Sequence, residues 1–395
     1  MPVERRKGKS KSKNDSGKRP EKNYEEIKAE AEDTRPLYIK PLRGALIITG
    51  LLFLVNGVVF AIWGTATYLK KIEEVTSTPT PGEVDSKLGY RQPFEVLDLP
   101  GRGKGLIATR DIEQGELLIK EKPLFVVPPQ ITTSPTELVA SLLGQLPVEG
   151  RDAFWNLSYV NFPRELVPEE HPDEVALAIF ETNAVSAGDS VGIFPRMARL
   201  NHGCSGAFNS VYSWREREGA LYVHALKPVK KGEELLTVYT NTKQRRSDRR
   251  AYLERHYGFR CACRVCSLED ESSRQSDNRL LAIAEEYQKF SGWGQEQIDG
   301  REAIETVKRL WKIEDEEGYW SERGQLAADA AWVAASHSDG SATKQWAELA
   351  VKWFTFELGR DSEQVVNLLP AVNHPQKHTA WAQRGAMIVG GPDGL

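Results

Sequence analysis

At 395 residues the chain has room for two or three domains, and its 40% hydrophobic and 27% charged content is that of an ordinary globular protein, not of a chain disordered throughout. A formal net charge of −4 offers no global attraction to nucleic acid, so no direct nucleic-acid binding is expected.

The first ninety residues are unlike the rest. Residues 1–19 carry eight Lys or Arg against Glu4 and Asp15, which predicts a solvated basic tail over residues 1–43. Residues 44–69, GALIITGLLFLVNGVVFAIWGTATYL, hold no charge over 26 positions, and a bilayer core needs about 20 apolar residues. The stretch is too long for a signal-peptide core and predicts a single N-terminal transmembrane helix, making a membrane one expected partner. A linker over 70–90, with Pro79, Pro81 and Gly82, separates it from the folded part. Lys28, Arg35, Lys40 and Arg43 before the span outweigh Lys70 and Lys71 after it, which leans toward a cytosolic N-terminus. The four cysteines of the chain all follow the span, and free thiolates instead suit a reducing compartment, cytosolic or nuclear, so the topology stays open.

Strand patterns follow at Phe94–Leu99, Gly105–Thr109 and Glu116–Ile119, punctuated by Gly101, Gly103, Gly105 and Gly115. From about Pro135 to Asn183 the pattern turns helical, with Leu138, Leu142, Leu143 and Leu146 on one face. Strand character returns over Ala207–Tyr239, and Arg245–Tyr257 reads as a basic helix. Residues 276–360 read as successive amphipathic helices with interleaved Trp and Phe, as in packed helical hairpins. The last stretch, with Pro375 and Gly390-Gly391-Pro392, reads as a frayed end.

All four cysteines fall in two places: Cys204, in Asn201-His202-Gly203-Cys204, and a Cys-x-Cys-x2-Cys knuckle at Cys261, Cys263 and Cys266. Four thiolates make one closed tetrahedral zinc site, which would fold everything between 204 and 266 into a loop. Disulfides are the alternative, with three possible pairings; no secretory signature accompanies them, and Cys261 and Cys263 are too close for an easy bridge.

Four segments in order carry a resemblance: Gly101-Arg102-Gly103-Lys104-Gly105-Leu106-Ile107-Ala108, Arg199 to Cys204, Gly232-Glu233-Glu234-Leu235-Leu236-Thr237-Val238-Tyr239, and Tyr257-Gly258-Phe259-Arg260 running into the knuckle. Together they resemble the SET-domain protein lysine methyltransferases, in particular the SET and MYND-domain group and related fungal proteins, over roughly residues 92–360. The resemblance implies an α+β, SET-type β-rich fold with a post-SET zinc knuckle and a helical C-terminal domain. The expected domains are 91–260 (SET, with a helical insert at about 131–182), 261–270 (knuckle) and 271–395 (helical).

The implied activity is methyl transfer from S-adenosyl-L-methionine to a lysine of a protein substrate. The Gly-rich turn leaves backbone open to a close ligand, and its spacing fits neither a phosphate loop nor a dinucleotide fingerprint. The resemblance puts Arg102, Gly103, Lys104, Asn183, Asn201, His202, Tyr239 and Phe259 at the cofactor, with Phe259 stacking on adenine. Tyr239 and Tyr257 are the catalytic candidates, lining an apolar channel that aligns the amine with the methyl group. Cys204, Cys261, Cys263 and Cys266 would bind structural Zn2+.

Two departures from the family pattern stand out. Gly203 occupies the position of a usual Ser, and Ser205-Gly206-Ala207-Phe208-Asn209 inserts residues where Pro-Asn ordinarily follows closely. Both bear on the placement of the substrate lysine, and they motivate an alternative reading: a non-catalytic, zinc-stabilised SET-like scaffold at a membrane. A third reading gives the helical C-terminus the function, as a peptide-binding surface. No second Cys/His cluster is present, so a MYND module is absent.

Overall fold

A computed structural model describes residues 92–395. The basic tail, the apolar segment at 44–69 and the linker at 70–90 lie outside the described residues. Among the described residues no helix is long and apolar enough to cross a membrane.

Three small sheets form the N-terminal half. The first has the order β1 (Phe94–Leu99), β2 (Gly103–Ala108), β10 (Glu234–Thr237), β7 (Asn201–His202). Strands β1 and β2 are an antiparallel hairpin closed by the Gly101–Gly103 turn, with both glycines at positive φ. Strand β10 lies antiparallel to β2 and parallel to β7. The second sheet runs β3 (Leu117–Glu121), β9 (Ala220–Ala225), β8 (Ser210–Arg215), and the third β4 (Val126–Val127), β6 (Ser190–Ile193), β5 (Ala184–Ala187). Leu106, Ile119, Phe194, Leu200, Leu221 and Leu235 form the buried core beneath the first two sheets.

Helices α1 (Pro135–Gly144), α2 (Val148–Trp155) and α3 (Pro172–Asn183) form the insert, packed on Phe125, Val139, Phe154 and Ile179. Helix α4 (Arg246–Tyr257) ends at Gly258, whose φ of 69° caps it with a bond from Gly258 N–H to the Glu254 carbonyl at 3.1 Å.

The C-terminal region is helical: α5 (Asp270–Ser291), α6 (Gly300–Glu317), α7 (Arg323–Ser336), α8 (Gly340–Leu358) and α9 (Glu363–Asn373). Its core pairs an alanine-rich face of α7 with the tryptophans of α6 and α8. The buried Arg323 guanidinium lies over the rings of Trp353, Trp311 and Trp320 at 4.8, 4.9 and 5.7 Å, a cation held among aromatic faces.

The final stretch is docked rather than frayed. Asp339 caps α8 through the Ala342 N–H and also accepts from Val389 N–H at 2.9 Å and Gly390 N–H at 3.3 Å. The indole N–H of Trp346 donates to the Gly390 carbonyl at 3.0 Å, and Val389 is buried. Backbone bonds to buried polar groups hold this tail, and periodicity carries no trace of them.

Two buried carboxyls in this region, Glu314 and Glu357, are pushed by burial from the ordinary 4.5 to about 8. Below pH 4.5 both are protonated whether the chain is folded or not, and the fold bears no penalty from them. As pH rises to about 8 the unfolded chain releases protons that the folded chain keeps, so stability falls across that window. The Glu357→Gln variant should therefore show a flatter decline of thermal midpoint between pH 5 and pH 8.5 than the parent; an unchanged slope would count against a protonated Glu357.

Candidate active site

The site forms where β7 meets β10. In this short parallel pair Leu236 lies opposite Asn201 and Thr237 opposite His202, and Gly203 N–H extends the register by donating to the Thr237 carbonyl at 2.8 Å. Two residues past the end of β10 the chain reaches Tyr239, whose N–H meets His202 beside the chain running to Cys204. On the other side of β10, β2 brings the Gly101–Gly105 turn into the same sheet.

Asn201 is fixed between these strands. Its side-chain amide donates to Glu234 Oε1 at 2.9 Å and to the Lys104 carbonyl at 3.3 Å. That approach requires a residue without a side chain at 105: a Cβ on Gly105 would sit 2.9 Å from Asn201 Nδ2 and 2.5 Å from Leu99 Cδ1. The second oxygen of Glu234 pairs with the Arg102 guanidinium. Lys104 Nζ donates to Asn156 Oδ1 at 2.9 Å, and the Asn156 carbonyl in turn accepts from the buried Arg199 at 2.9 Å. One hydrogen-bonded row thus runs from Arg102 through Glu234 to Asn201, with Lys104 and Asn156 beside it.

His202 is buried, and both of its ring nitrogens are committed. The backbone N–H of Tyr239 donates to His202 Nδ1 at 3.0 Å, which leaves the proton on Nε2, 3.1 Å from Cys204 Sγ. Burial pushes the imidazole down to about 4, so it is neutral at ordinary pH. The ring is therefore a strut joining the thiol cluster to Tyr239.

The Tyr239 hydroxyl donates to the Leu200 carbonyl at 2.7 Å. Its pKa is pushed up by burial and by neighbouring Tyr257, so it stays a neutral phenol. With its proton engaged, the oxygen presents lone pairs and can act as an acceptor. Tyr257, at the end of α4, lies 4.9 Å away between ring centroids, and the left-handed turn at Gly258 sends Phe259 to 6.4 Å from the His202 ring. These aromatic rings form a wall that is apolar apart from the hydroxyls of Tyr239 and Tyr257.

Asn183 sits at the end of α3. Its amide nitrogen donates to the Ser158 and Ile179 carbonyls, both at 2.7 Å, leaving Oδ1 as the group it can present. The 156–162 segment it holds is also tied to α4, through Asn161 Nδ2 donating to the His256 carbonyl at 3.1 Å.

The four cysteine sulfurs lie within 4.8 Å of one another, with Cys204 Sγ 3.5 Å from Cys266 Sγ and 4.0 Å from Cys261 Sγ. Tetrahedral zinc with Zn–S of about 2.3 Å requires sulfurs about 3.8 Å apart, so the set fits that ion. Crowding keeps four such thiols from ionising together: hydrogen bonds from Cys204, Cys261 and Cys266 push the Cys263 thiol down, while hydrogen bonds with Cys261, Cys263 and Cys266 push the Cys204 thiol up. A divalent metal resolves that conflict by taking all four as thiolates. Arg250 buttresses the knuckle, donating to the Cys261 and Cys266 carbonyls at 3.0 and 2.8 Å.

Gly203 and the turn after Cys204 belong together. A Cβ on Gly203 would meet the Phe208 nitrogen at 2.9 Å and the Ala207 carbonyl carbon at 3.1 Å, so the inserted turn at Ser205–Ala207 excludes the usual Ser. Glu234, Asn156 and Arg199 had no role assigned from sequence. Glu234 and Arg199 lie inside two of the four motif segments, whereas nothing in the local sequence singles out Asn156.

The family model described as SET domain matches residues 103–240. The histone-lysine N-methyltransferase set5 of Schizosaccharomyces pombe is 28% identical over 72% of this chain and 85% of its own length. The histone-lysine N-methyltransferase SET5 of Meyerozyma guilliermondii is 32% identical over 34% of this chain and 29% of its own. The mouse histone-lysine N-methyltransferase SMYD3 is 29% identical over 33% of this chain and 27% of its own. The chain thus spans most of the first relative but under a third of the other two. The matched residues hold the Gly-rich turn, the Asn201–Cys204 segment and Tyr239, so residues 103–240 carry a SET domain in a chain similar to histone-lysine N-methyltransferases.

Proposed function

We propose that this site transfers a methyl group from S-adenosyl-L-methionine to the side-chain amine of a protein lysine, with Tyr239 and Tyr257 forming the lysine channel. The observation that carries the reading is the Tyr239 hydroxyl, neutral, with its proton given to Leu200, set among the rings of His202, Tyr257 and Phe259. When bound, S-adenosylmethionine would supply a sulfonium methyl whose carbon the amine attacks in line, the N–CH3 bond forming as the S–CH3 bond breaks, with a neutral thioether leaving and the charge passing to the methylated ammonium. Tyr239 accepts a hydrogen bond from the amine and so turns its lone pair toward the methyl carbon. The apolar rings favour the neutral amine that the displacement needs.

Arg102, Gly103, Lys104, Asn183, Asn201, His202 and Phe259 form the cofactor side in this reading. Asn201 and the turn are held by Glu234, Asn183 presents Oδ1, and Phe259 offers a ring face for adenine. Zinc on Cys204, Cys261, Cys263 and Cys266 is structural, with all four positions filled by protein. Residues 44–69 serve as a single-pass membrane anchor, with the catalytic domain on a reducing side. The domains run 91–260, 261–270 and 271–395.

The test is transfer of labelled methyl from S-adenosylmethionine to lysine in core histones and in a mixed protein extract, with products mapped by mass spectrometry. Labelled methyl-lysine that requires the zinc-loaded chain supports the reading. Absence of any labelled lysine from zinc-loaded protein that binds the cofactor would count against a lysine acceptor.

A further inference from the structure

Ser205 directly follows the cysteine ligand Cys204, at a φ of 27° that residues with side chains rarely adopt. Such a conformation persists only where its surroundings over-determine it, and here the surroundings come from the helical C-terminal region. Ser205 Oγ donates to Glu317 Oε1 at 2.9 Å. Glu317 is the last residue of α6, and its side chain is 2% exposed. The same oxygen accepts from Ser276 Oγ at 2.7 Å, and Oε2 accepts from Arg279 Nε at 3.0 Å.

The next residue is locked as well. A Cβ on Gly206 would lie 2.5 Å from the Glu317 carbonyl oxygen, so the backbones touch directly there. Lys227 Nζ donates to the Gly206 carbonyl at 2.7 Å and to the Gly318 carbonyl at 2.6 Å, stitching the two segments together. Arg264, inside the cysteine knuckle, also donates to the Gly206 carbonyl. The inserted turn therefore accepts hydrogen bonds from the sheet region and the knuckle and donates one to the helical region.

We infer that Glu317 is a positioning residue, which holds the Asn201–Cys204 segment in its binding geometry from the helical region. Ser276 and Arg279 satisfy the buried carboxylate within the helices; the Ser205 hydroxyl is the partner that carries its hold across to the site. The inserted residues that depart from the family pattern are thus the attachment point, and the helices from α5 to α6 complete the cofactor and zinc site. This inference rests on the reading of Asn201 and His202 as cofactor residues.

Two single substitutions separate a positioning role from a merely structural one, because each removes one hydrogen bond to the same oxygen. In the zinc-loaded full chain, S205A should weaken S-adenosylmethionine binding about tenfold by calorimetry and speed zinc release to a chelator several-fold. S276A should lower the thermal midpoint comparably while leaving both quantities near those of the parent. Unchanged binding and zinc release in S205A, or equal shifts in the two variants, would overturn the inference. If the parent itself binds no S-adenosylmethionine, the functional reading falls separately, and zinc release decides alone: faster from S205A than from S276A supports the clamp, equal rates overturn it.

Discussion

Tyr239→Phe is expected to lower methyl transfer by about 100-fold or more while S-adenosylmethionine binding survives. The variant keeps the ring that packs on Tyr257 and His202, so the wall of the channel stays in place. It loses only the oxygen proposed to accept from the substrate amine, whose own proton is anchored on Leu200. Removing one positioned hydrogen-bonding group of this kind costs about 10²–10³ in turnover in other enzymes. Single-turnover rates with saturating cofactor would measure it, beside a calorimetric titration of the cofactor. Turnover equal to the parent would remove Tyr239 from the catalytic role.

Zinc removal should have the larger structural effect. Stripping the metal with a strong chelator, or the Cys266→Ser variant, is expected to abolish S-adenosylmethionine binding and to expose the apolar cluster of Cys204, Leu253, Cys261 and Val265. Structural zinc contributes about 10–16 kcal/mol of apparent binding free energy in small zinc-finger peptides, as large as a whole domain's usual margin of stability. The local route to the site is short: Cys204 Sγ accepts from His202 Nε2, and His202 Nδ1 accepts from Tyr239 N–H. Loss of the metal frees the knuckle, then the histidine strut, then the tyrosine. Metal content by atomic emission and near-ultraviolet circular dichroism would follow both steps. A metal-free chain that keeps full cofactor affinity would contradict a structural role for the cluster.

The parts legible in sequence were those whose chemistry needs particular residue types in short runs. The cysteine spacing, the glycine turn and the Asn-His and Tyr motifs each announce themselves locally, and the structure brings the cysteine set within ligand distance of one metal ion. Long-range pairing was not legible. Glu234 bonds Asn201 from 33 residues away and Ser205 meets Glu317 across 112, and no periodicity records such contacts. The links of the His202 ring to Cys204 and Tyr239 were not legible either, since a buried imidazole finds partners for both nitrogens only once the fold brings them together. Gly203 looked like a missing hydroxyl, and in three dimensions it is the space that the Ser205–Ala207 turn occupies.

The most direct test of a zinc-built cofactor site is the thermal midpoint of the zinc-loaded chain with and without S-adenosylmethionine. At 100 times the dissociation constant the ligand should add about 2.7 kcal/mol to the folded state, a plainly raised midpoint. That rise is the predicted result. No shift in a folded sample with one zinc per chain would contradict the account and leave a scaffold without a working methyl-donor pocket.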